Sequence, residues 1–527
     1  MTERISYPWL GEIFPGDYMQ EIPYEAYLKD APEVEKSGNV YDVTDFGAVP
    51  GSLHVQTEAL QKALDACAQT GGTVYVPEGS YISGTLLMGS HTTLHLAPGA
   101  SLIASRNIED LIHPELSHGQ DFGEESSGGA FLCVLHAEDV RITGGGTIHG
   151  QGEYFVHLPR KLPTMQPVDP VRLPTREEIR QGQINTAPGS IRTAYRERIR
   201  YAEDKYGEGK ETLRRPSFMV WCYDAKRVEI DHVVLRDSMC WTLHMDRCDA
   251  VKIHDLVIDD NRHVANTDGI DLSGCQGVEI RHCFVSCADD GLCLKNTAHT
   301  GREMRNVEIS ECTVVTVMNA FKIGTGTRFP IRHVRVHDCT FMLPDIHPGS
   351  VSGISIESCD GSVIEDVEVR NIRMQGVQCP LYVLLNRRNE AGLPYSDDSQ
   401  DLYWGGAIRN VTVQGITALD CDLPCIVTGY ADATRAGAPV RRAIEGLKVE
   451  DMTMRYREAE EIVQIPECFE EQLTDYPESN AHGDVDACGI WVRHADGVTI
   501  RGLEVTPRRA NTRPPVVFLD CNEAEWT

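Results

Sequence analysis

Apolar and polar residues recur along the chain in units that are longer than a single strand or helix. A pattern of Val-x-Ile or Val-x-Val, followed by a second apolar run, opens at Val228, Val251, Val278, Val307 and Val334, in steps of 23, 27, 29 and 27 residues. Looser copies begin at Val367, Val411, Leu447 and Val498. A period of about 20 to 50 residues indicates a solenoid, because each unit needs its neighbours to bury its apolar face.

Each unit contains two or three short alternating runs that are rich in β-branched residues and are broken by Gly, Asn or Asp. Runs of this length predict strands separated by turns and leave no room for a helix between strands. Copies stacked so that equivalent strands pair in parallel form a β-helix. The predicted fold class is therefore all-β, a parallel β-helix solenoid.

The cysteines follow the same register. Cys283, Cys312 and Cys339 each lie five residues after the Val that opens their unit. Stacked coils would place them in one buried column, since Cys is among the most buried residue types. We expect reduced thiols there and in the rest of the 18 cysteines; a metal bound by the column is the alternative.

Other segments define the ends of the predicted solenoid. Residues 43–48 predict a strand and a turn, 57–68 have the apolar spacing of a helix, and 73–77 predict a further strand. The helix would cover the first coil as a short N-terminal cap, protecting a sheet edge from aggregation. We therefore predict an N-terminal extension over 1–40, a β-helix catalytic domain over 41–510 and a C-terminal tail over 511–527.

Residues 153–215 interrupt the repeat and are polar, charged and helix-prone. Insertions in solenoids usually emerge on the binding face, so this one is expected to wall one end of the cleft. An insertion without function is the alternative.

Composition narrows the set of partners. The formal net charge of −30 over 527 residues argues against nucleic acid and anionic membranes, which are bound by clustered Lys and Arg, and mildly against a long polyanion. The start of the chain lacks the features of a secretion signal, and no apolar run approaches the roughly 18 residues of a membrane span. We therefore expect a cytoplasmic protein; its oligomeric state is not indicated.

Three carboxylates are candidates for catalysis: Asp268, Asp289 and Asp290. Asp268 and Asp289 are 21 residues apart, close to one coil, and strands on neighbouring coils are about 4.8 Å apart. Like charges this close favour a proton on one of them, which supplies the acid and the base that glycoside hydrolysis needs. A bulge at Gly291 would let Asp289 and Asp290 point differently. Turn formation alone would also explain Asp residues here, and this is the interpretation for Asp271.

Several ordered motifs resemble glycoside hydrolase family 28, the polygalacturonase family. They are Asp45-Phe46-Gly47-Ala48, the run from Gly144 to Gly152, Arg214-Arg215-Pro216-Ser217, Trp241-Thr242-Leu243-His244, Asn266-Thr267-Asp268-Gly269-Ile270-Asp271 and Asp289-Asp290-Gly291. The resemblance covers about residues 41–388. It implies a right-handed parallel β-helix and hydrolysis with inversion, with Asp289 as general acid, Asp268 and Asp290 holding and deprotonating the water, and Asn266 orienting the group.

Two departures from the family pattern bear on the substrate. Asn319 stands where the family has a histidine, and Ser355-Ile356-Glu357 stands where it has Arg-Ile-Lys for a galacturonate carboxylate. A sugar carboxylate opposite Glu357 would be repelled, which favours a neutral or branched pectic sugar. Lys322 and Arg328 are candidates for a relocated anion contact or are ordinary residues at a strand end.

Two further candidates precede the carboxylates by about one coil. Trp241 is a candidate for stacking on a sugar ring and His244 for bonding a hydroxyl, with packing in the core as the alternative for both.

Taken together, the carboxylates and the resemblance predict a hydrolase of pectin-type oligosaccharides that is exo-acting and needs no cofactor or metal.

Two other functions remain open on the same scaffold. A uronate lyase or epimerase would need a Lys or Arg base and usually calcium, so its activity would be sensitive to a chelator. A sugar-binding solenoid without activity would give heat on titration and no reducing ends.

Overall fold

The computed structural model describes residues 4–5, 22–34, 38–112, 129–155, 215–261, 264–297, 300–343, 350–388, 406–432, 440–457, 464–473, 475–508 and 511–527. The predicted insertion at 153–215 therefore has residues 156–214 outside the described residues, and most of the predicted N-terminal extension also lies outside them. The chain divides into two compact units. The first comprises Met1–His244, Asp255–Gly269 and Ser286–Asp289, and the second comprises Met245–His254, Ile270–Val285 and Asp290–Thr527.

Parallel strands of the first unit form three stacks. The first stack contains Val40–Asp42, Gly72–Val76, Thr92–Leu96, Glu138–Thr143 and Lys226–Asp231. The second contains Gly79–Ser83, Ala100–Ala104, Thr147–His149, Val234–Arg236 and Val257–Asp259. The third contains Leu86–Met88, Ala130–Leu135 and Phe218–Tyr223. Arg4–Ile5 and Ile22–Pro23 pair antiparallel, and the short helical segments are Glu25–Leu28, Val43–Phe46, Ile108–Asp110 and Gly152–Phe155.

In the second unit, the longest stack contains Asp249–His254, Gln276–Arg281, Met304–Ser310, Ile331–His337, Val363–Gln375, Ala407–Cys421, Lys448–Tyr456, Thr499–Thr506 and Glu525–Trp526. A second stack, called the site stack below, contains Ile270–Ser273, Leu292–Asn296, Asn319–Thr327, Ser350–Ser358, Val377–Leu385, Cys425–Thr428, Ile490–Arg493 and Val516–Leu519. These pairings confirm the predicted parallel β-helix.

The remaining elements are short. They are the parallel strands Thr313–Thr316, Thr340–Met342, Ile444–Glu445 and Ala495–Asp496, the antiparallel pair Tyr430–Asp432 and Val440–Arg442, and the 3-10 helix Ser479–His482. Strands Trp241–Asp246 and Phe284–Cys287 contain residues of both units. Because Val516–Leu519 and Glu525–Trp526 pair with preceding strands, the segment predicted as a C-terminal tail contains strands of the β-helix.

The repeat found in the sequence is the stacking register of the second unit. Val251, Val278, Val307, Val334 and Val367 are successive partners in adjacent parallel strands. All five are buried, whereas the residues that follow them in the strands alternate between core and surface. The period-2 pattern thus places one face of every strand in the core.

The cysteine column is confirmed. Cys283, Cys312 and Cys339 are buried, and the thiol of each donates to the carbonyl oxygen two residues earlier. None of the 18 cysteines is paired in a disulfide. Turn residues between the strands adopt the left-handed conformation, as at Asp338 and Asn371, whose side chains are hydrogen-bonded to each other. Asn and Asp tolerate this conformation better than other residues with a Cβ, which explains their recurrence.

The predicted N-terminal cap is an α-helix over Thr57–Thr70. Its buried residues, Leu60, Ala63, Leu64 and Cys67, have the spacing of one helical face. The strand predicted at 43–48 is instead a 3-10 helix over Val43–Phe46, because the Asp42 side chain accepts a hydrogen bond from Thr44 N at 2.9 Å and starts a helical turn. No helix among the described residues has the length and apolar character to cross a membrane.

We predict that Ile280→Ala destabilises the second unit, because Ile280 stacks between Ile253 and Ile309 and is buried. The loss should be about 2–5 kcal/mol, as for other large-to-small changes in cores, and a lowered thermal midpoint in calorimetry would show it. Glu279→Ala, one residue earlier on the exposed face, is the control and should leave the midpoint nearly unchanged. Equal effects of the two variants would contradict the assigned register.

Candidate active site

Two of the predicted catalytic carboxylates lie together in the first unit. A carboxylate oxygen of Asp268 and one of Asp289 are within 4.8 Å of each other. Asp268 is buried and Asp289 is partly exposed. Residues 21 positions apart are therefore neighbours, as the coil spacing predicted.

Hydrogen bonds to the backbone hold both carboxylates in register. The carbonyl oxygen of Asp268 accepts from Thr242 N at 2.9 Å. The Thr267 hydroxyl accepts from Ala288 N at 3.1 Å and donates to Val264 O at 2.9 Å. A buried threonine thus connects the segment that ends at Asp268 with the segment that leads into Asp289.

Asn266 and Arg215 form a polar support beside Asp289. The Asn266 side chain donates to Asp289 Oδ2 at 3.4 Å and accepts from Arg215 Nη2 at 2.5 Å. Arg215 is buried and also donates to the carbonyl oxygens of Ala265 and Met239. Asn266 therefore lies where the sequence predicted it. Arg215 was recognised only as part of a motif, since a sequence does not show which atoms a buried guanidinium binds.

Asp290, the next residue, begins a charged cluster in the second unit. It is buried and accepts a hydrogen bond from Asn319 Nδ2 at 2.8 Å. Lys322 Nζ lies 3.4 Å from its carboxylate. Asn319, in the position of the family's histidine, therefore holds Asp290.

Gly291 fixes the backbone after Asp290 by its size. A Cβ atom at this position would lie 2.3 Å from Val314 and 2.8 Å from the carbonyl oxygen of Ala320. Its φ is not in the left-handed region, so close approach of the neighbouring coil requires glycine here. Gly291 N also donates to Asn319 O at 2.8 Å, which ties Asp290 to the next strand of the site stack.

Lys322 is surrounded by carboxylates. Its ammonium lies 3.4 Å from Asp290, 3.7 Å from Glu357 and 4.0 Å from Glu478, and only 1% of its side chain is exposed. Glu357 is fully buried and also accepts from Ser355 Oγ at 2.5 Å. The sequence predicts Lys322 and Glu357 as separate contributors to substrate charge, whereas the structure brings them together, and the relocated anion contact expected of Lys322 is occupied by protein carboxylates.

The pKa values in this cluster differ because burial and the lysine charge act unequally. Burial raises the pKa of Glu357 to about 8 and that of Glu478 to about 6, although Lys322 opposes both effects. At Asp290 burial also disfavours the charged form, but Lys322, Lys295 and Asn319 outweigh it and hold its pKa below the usual range. Asp290 is thus ionised at neutral pH, and Glu357 retains its proton.

Glu478 was not predicted. It belongs to the segment 475–483, in which Ser479 accepts a hydrogen bond from Ser352 Oγ at 3.0 Å and donates to Val351 O at 3.2 Å. His482 Nε2 lies 2.9 Å from Tyr382 Oη. These contacts fasten the segment to two strands of the site stack, and Tyr382 is buried beneath it. No repeat marks this segment, so the sequence carried no signal for it.

The other predicted binding residues lie in packed surroundings. Trp241 is partly exposed, and its ring centroid is 5.1 Å from that of His244 and 5.8 Å from that of Phe218. His244 is buried, which matches the alternative of a core residue. Arg328 donates to the carbonyl oxygen of Asp360 at 3.2 Å. Asp271 is buried against Lys295 Nζ, so its role is structural, although that role is an ion pair and not a turn.

The parallel β-helix and the paired carboxylates Asp268 and Asp289 form the arrangement that the sequence predicts for a glycoside hydrolase. Residues 196–420 match the model of glycosyl hydrolases family 28, and residues 40–107 match that of rhamnogalacturonase A/epimerase, pectate lyase-like. These matches support a divergent member of glycoside hydrolase family 28, and the chain is a polygalacturonase-like glycoside hydrolase.

Relatives at low identity agree with this assignment. A probable polygalacturonase of Vitis vinifera is 22% identical over 425 residues, covering 77% of this chain and 74% of the relative. An exo-poly-alpha-D-galacturonosidase of Dickeya chrysanthemi is 22% identical over 400 residues, with 72% and 62% covered, so the chain spans less than two thirds of that relative. The family 28 exopolygalacturonase of Yersinia enterocolitica has a TM-score of 0.64 at 17% identity, covering 92% of this chain and 78% of that one. Such structural neighbours confirm the right-handed parallel β-helix.

We predict that Lys322→Met destabilises the protein in a pH-dependent way. Without the ammonium, the pKa values of Asp290, Glu357 and Glu478 should all lie above their unfolded values, so the folded state binds extra protons and loses stability as pH rises. The loss should approach about 3–5 kcal/mol at pH 8, as for other broken buried ion pairs, and should be small near pH 4.5.

Thermal midpoints of wild type and variant at both pH values provide the measurement. Lys448→Met, which removes an exposed lysine of the same unit, is the control and should change little at either pH. A loss of equal size at pH 4.5 and pH 8 would show that Lys322 stabilises through packing alone.

Proposed function

We propose that this glycoside hydrolase releases sugar residues from the end of pectin-type oligosaccharides, with inversion at the anomeric carbon. Asp289 is the general acid that protonates the leaving oxygen, and Asp268 and Asp290 act as bases toward the attacking water. The observation that carries the proposal is the proximity of the Asp268 and Asp289 carboxylates, within 4.8 Å and supported by Asn266. The proposal includes the cytoplasmic location expected from the sequence.

The surroundings of each carboxylate suit these roles. Asp289 is the more exposed of the pair, so it is accessible to a leaving group. Asp290 follows it directly and is held ionised by Lys322 and Asn319, as a base must be. In the first unit, Arg215 binds the oxygen of Asn266 and so turns its amide hydrogens toward Asp289.

A lyase or epimerase mechanism has less support. It would need a neutral Lys or Arg base. Three carboxylates overcome the effect of burial on Lys322 and hold its pKa well above the usual range, so its ammonium does not give up a proton near neutral pH. Lys295 is engaged by Asp271. The hydrolytic assignment therefore accounts better for the lysines of the site stack.

Action at chain ends is supported by two observations. The Dickeya and Yersinia relatives are named as exo-acting enzymes. The segment 475–483 is hydrogen-bonded to the strands Ser350–Ser358 and Val377–Leu385 of the site stack, and we propose that it limits the space for a long chain. Residues 156–214, expected to wall the cleft, lie outside the described residues and do not enter this argument.

Replacing the proposed acid should stop the reaction. We predict that Asp289→Asn lowers kcat by about 10²–10⁴-fold, the usual contribution of general acid–base catalysis, while oligosaccharide binding measured by calorimetry persists. Release of reducing ends gives the rate. Asp451→Asn is the matched control, because Asp451 is an exposed residue of the strand Lys448–Tyr456 in the left-handed conformation, which Asn also adopts. Full activity of Asp289→Asn would remove it from the catalytic role.

The stereochemistry and the mode of attack can be read from one experiment. We expect proton NMR of the early products to show a single released sugar with the anomeric configuration opposite to that of the substrate bond. The test is decisive because the two carboxyl groups are typically about 6.5–9.5 Å apart in inverting enzymes and about 5–5.5 Å apart in retaining enzymes. The Asp268 and Asp289 oxygens approach within 4.8 Å, nearer the retaining spacing, whereas inversion is proposed from the resemblance to family 28. Retained configuration would make one of these residues a nucleophile, and early products of mixed length would indicate internal cleavage.

A further inference from the structure

The charged cluster around Lys322 presents acceptors and negative charge to any ligand beside Asp290. Two carboxylates, Asp290 and Glu478, face one ammonium even when Glu357 carries a proton. Lys322 has only 1% of its side chain exposed and Glu478 has 14%, and both carboxylate oxygens of Glu478 are buried. The carboxylates therefore act on a ligand beside Asp290 through their charge in a poorly solvated site.

Other cations of the site stack and its margin are also matched by carboxylates. Lys295 is paired with Asp271, and Arg388 Nη2 lies 2.8 Å from Asp360. Arg387 Nη2 lies 2.9 Å from Asp432. Recruiting one of these cations to a ligand would leave a buried carboxylate without its partner, which is costly. A sugar carboxylate bound here would thus gain none of these three cations and would face like charge.

Asn319 adds an independent observation. Its side-chain nitrogen is committed to Asp290, and its side-chain oxygen is buried with no hydrogen-bond donor among the described residues. A buried acceptor without a donor is unfavourable until one arrives. A sugar hydroxyl or a water molecule can donate to it, whereas an ionised carboxylate has no hydrogen to donate.

We infer, on the basis of the proposed hydrolase function, that the sugar bound beside Asp290 is a neutral residue recognised through its hydroxyl groups, and that Glu478 excludes a uronate from this position. Glu478 acts as a specificity-determining residue. The Lys322–Glu357 pair beneath it keeps the position from attracting anions. Substrates of this chain would then be pectic oligosaccharides with neutral, esterified or otherwise uncharged residues at the cleaved end.

Three oligosaccharides that differ only at the carboxyl group test this inference. They are an α-linked trigalacturonate, its fully methyl-esterified form and its carboxyl-reduced form. We expect wild type to cleave the two neutral compounds with kcat/KM at least about tenfold above that for the acid, since like-charge contacts are strongly discriminating. Cleavage of the free acid as fast as the neutral compounds would overturn the inference.

A variant that removes the charge of Glu478 distinguishes a role in substrate specificity from a purely structural role. Glu478→Gln should raise kcat/KM for the acid several-fold relative to that for the ester, whereas a purely structural role would lower both together. Glu467→Gln, which removes an exposed carboxylate from a nearby part of the sequence, is the control and should leave the ratio unchanged. An unchanged ratio in Glu478→Gln would remove Glu478 from the discriminating role.

The proposed function and the inference fail in different ways. If wild type cleaves none of the three compounds, the hydrolytic function on this substrate class is wrong, and calorimetric titration with the same compounds then tests recognition alone. Binding of the neutral forms without the acid would uphold the charge preference. Binding of the acid, or of none of the three, would overturn the inference as well.

Discussion

The constraint on which this structure depends is that parallel strands stack in register, so each side chain lies over its equivalent in the preceding coil. In the second unit this produces columns of like residues, such as Ile253, Ile280 and Ile309 in the core. Apolar columns gain from repetition because each copy buries the next. Columns of like charge are destabilised by repetition, because like charges on strands about 4.8 Å apart repel each other. A solenoid must therefore alternate or compensate any charge that it places inside.

The site stack shows how this compensation is arranged. Asp271, Cys293, Lys322, Ser355 and Tyr382 occupy successive positions of one column. The acid and the base in this column are separated by a neutral thiol, and each has an opposite charge in a nearby position. Lys322 has three carboxylates within 4.0 Å of its ammonium, which makes it the electrostatic centre of the stack. The state of Asp290 therefore depends on an ammonium that no solvent reaches.

The stacking of the coils and the proximity of two catalytic candidates could be predicted from the sequence. Side-chain contacts within the charged cluster could not, and the difference has a physical cause. The repeat of Val251, Val278 and Val307 predicted the length of one coil. Because alternate residues are buried and the step is nearly constant, only one stacking register buries all three valines. The proximity of Asp268 and Asp289 followed from the same step. Both features depend on spacing alone.

Contacts that depend on the direction of a side chain could not be predicted from residue spacing. Lys322 pairs in register with Ser355, so Glu357, two residues further on the same strand face, lies beside it. The prediction treated Lys322 and Glu357 as separate contributors to substrate charge because the register between their strands was unknown. Glu478 comes from a segment outside the repeat, and its position depends on the bonds of Ser479 and His482 to the site stack.

Relative to the family pattern, the acid at Glu357 and the engagement of Lys322 by carboxylates depend on each other. Burial in a dry interior disfavours the charged form of an acid at position 357, and Lys322, 3.7 Å away, opposes this effect. Once Lys322 is engaged there, it cannot also serve a ligand, and a further acid at Glu478 makes the position acceptor-rich. A site altered in this way would still need an ionised base, and Asp290 keeps that state through the same lysine. The arrangement can therefore change which sugar is bound while it preserves the group that the proposed hydrolysis requires.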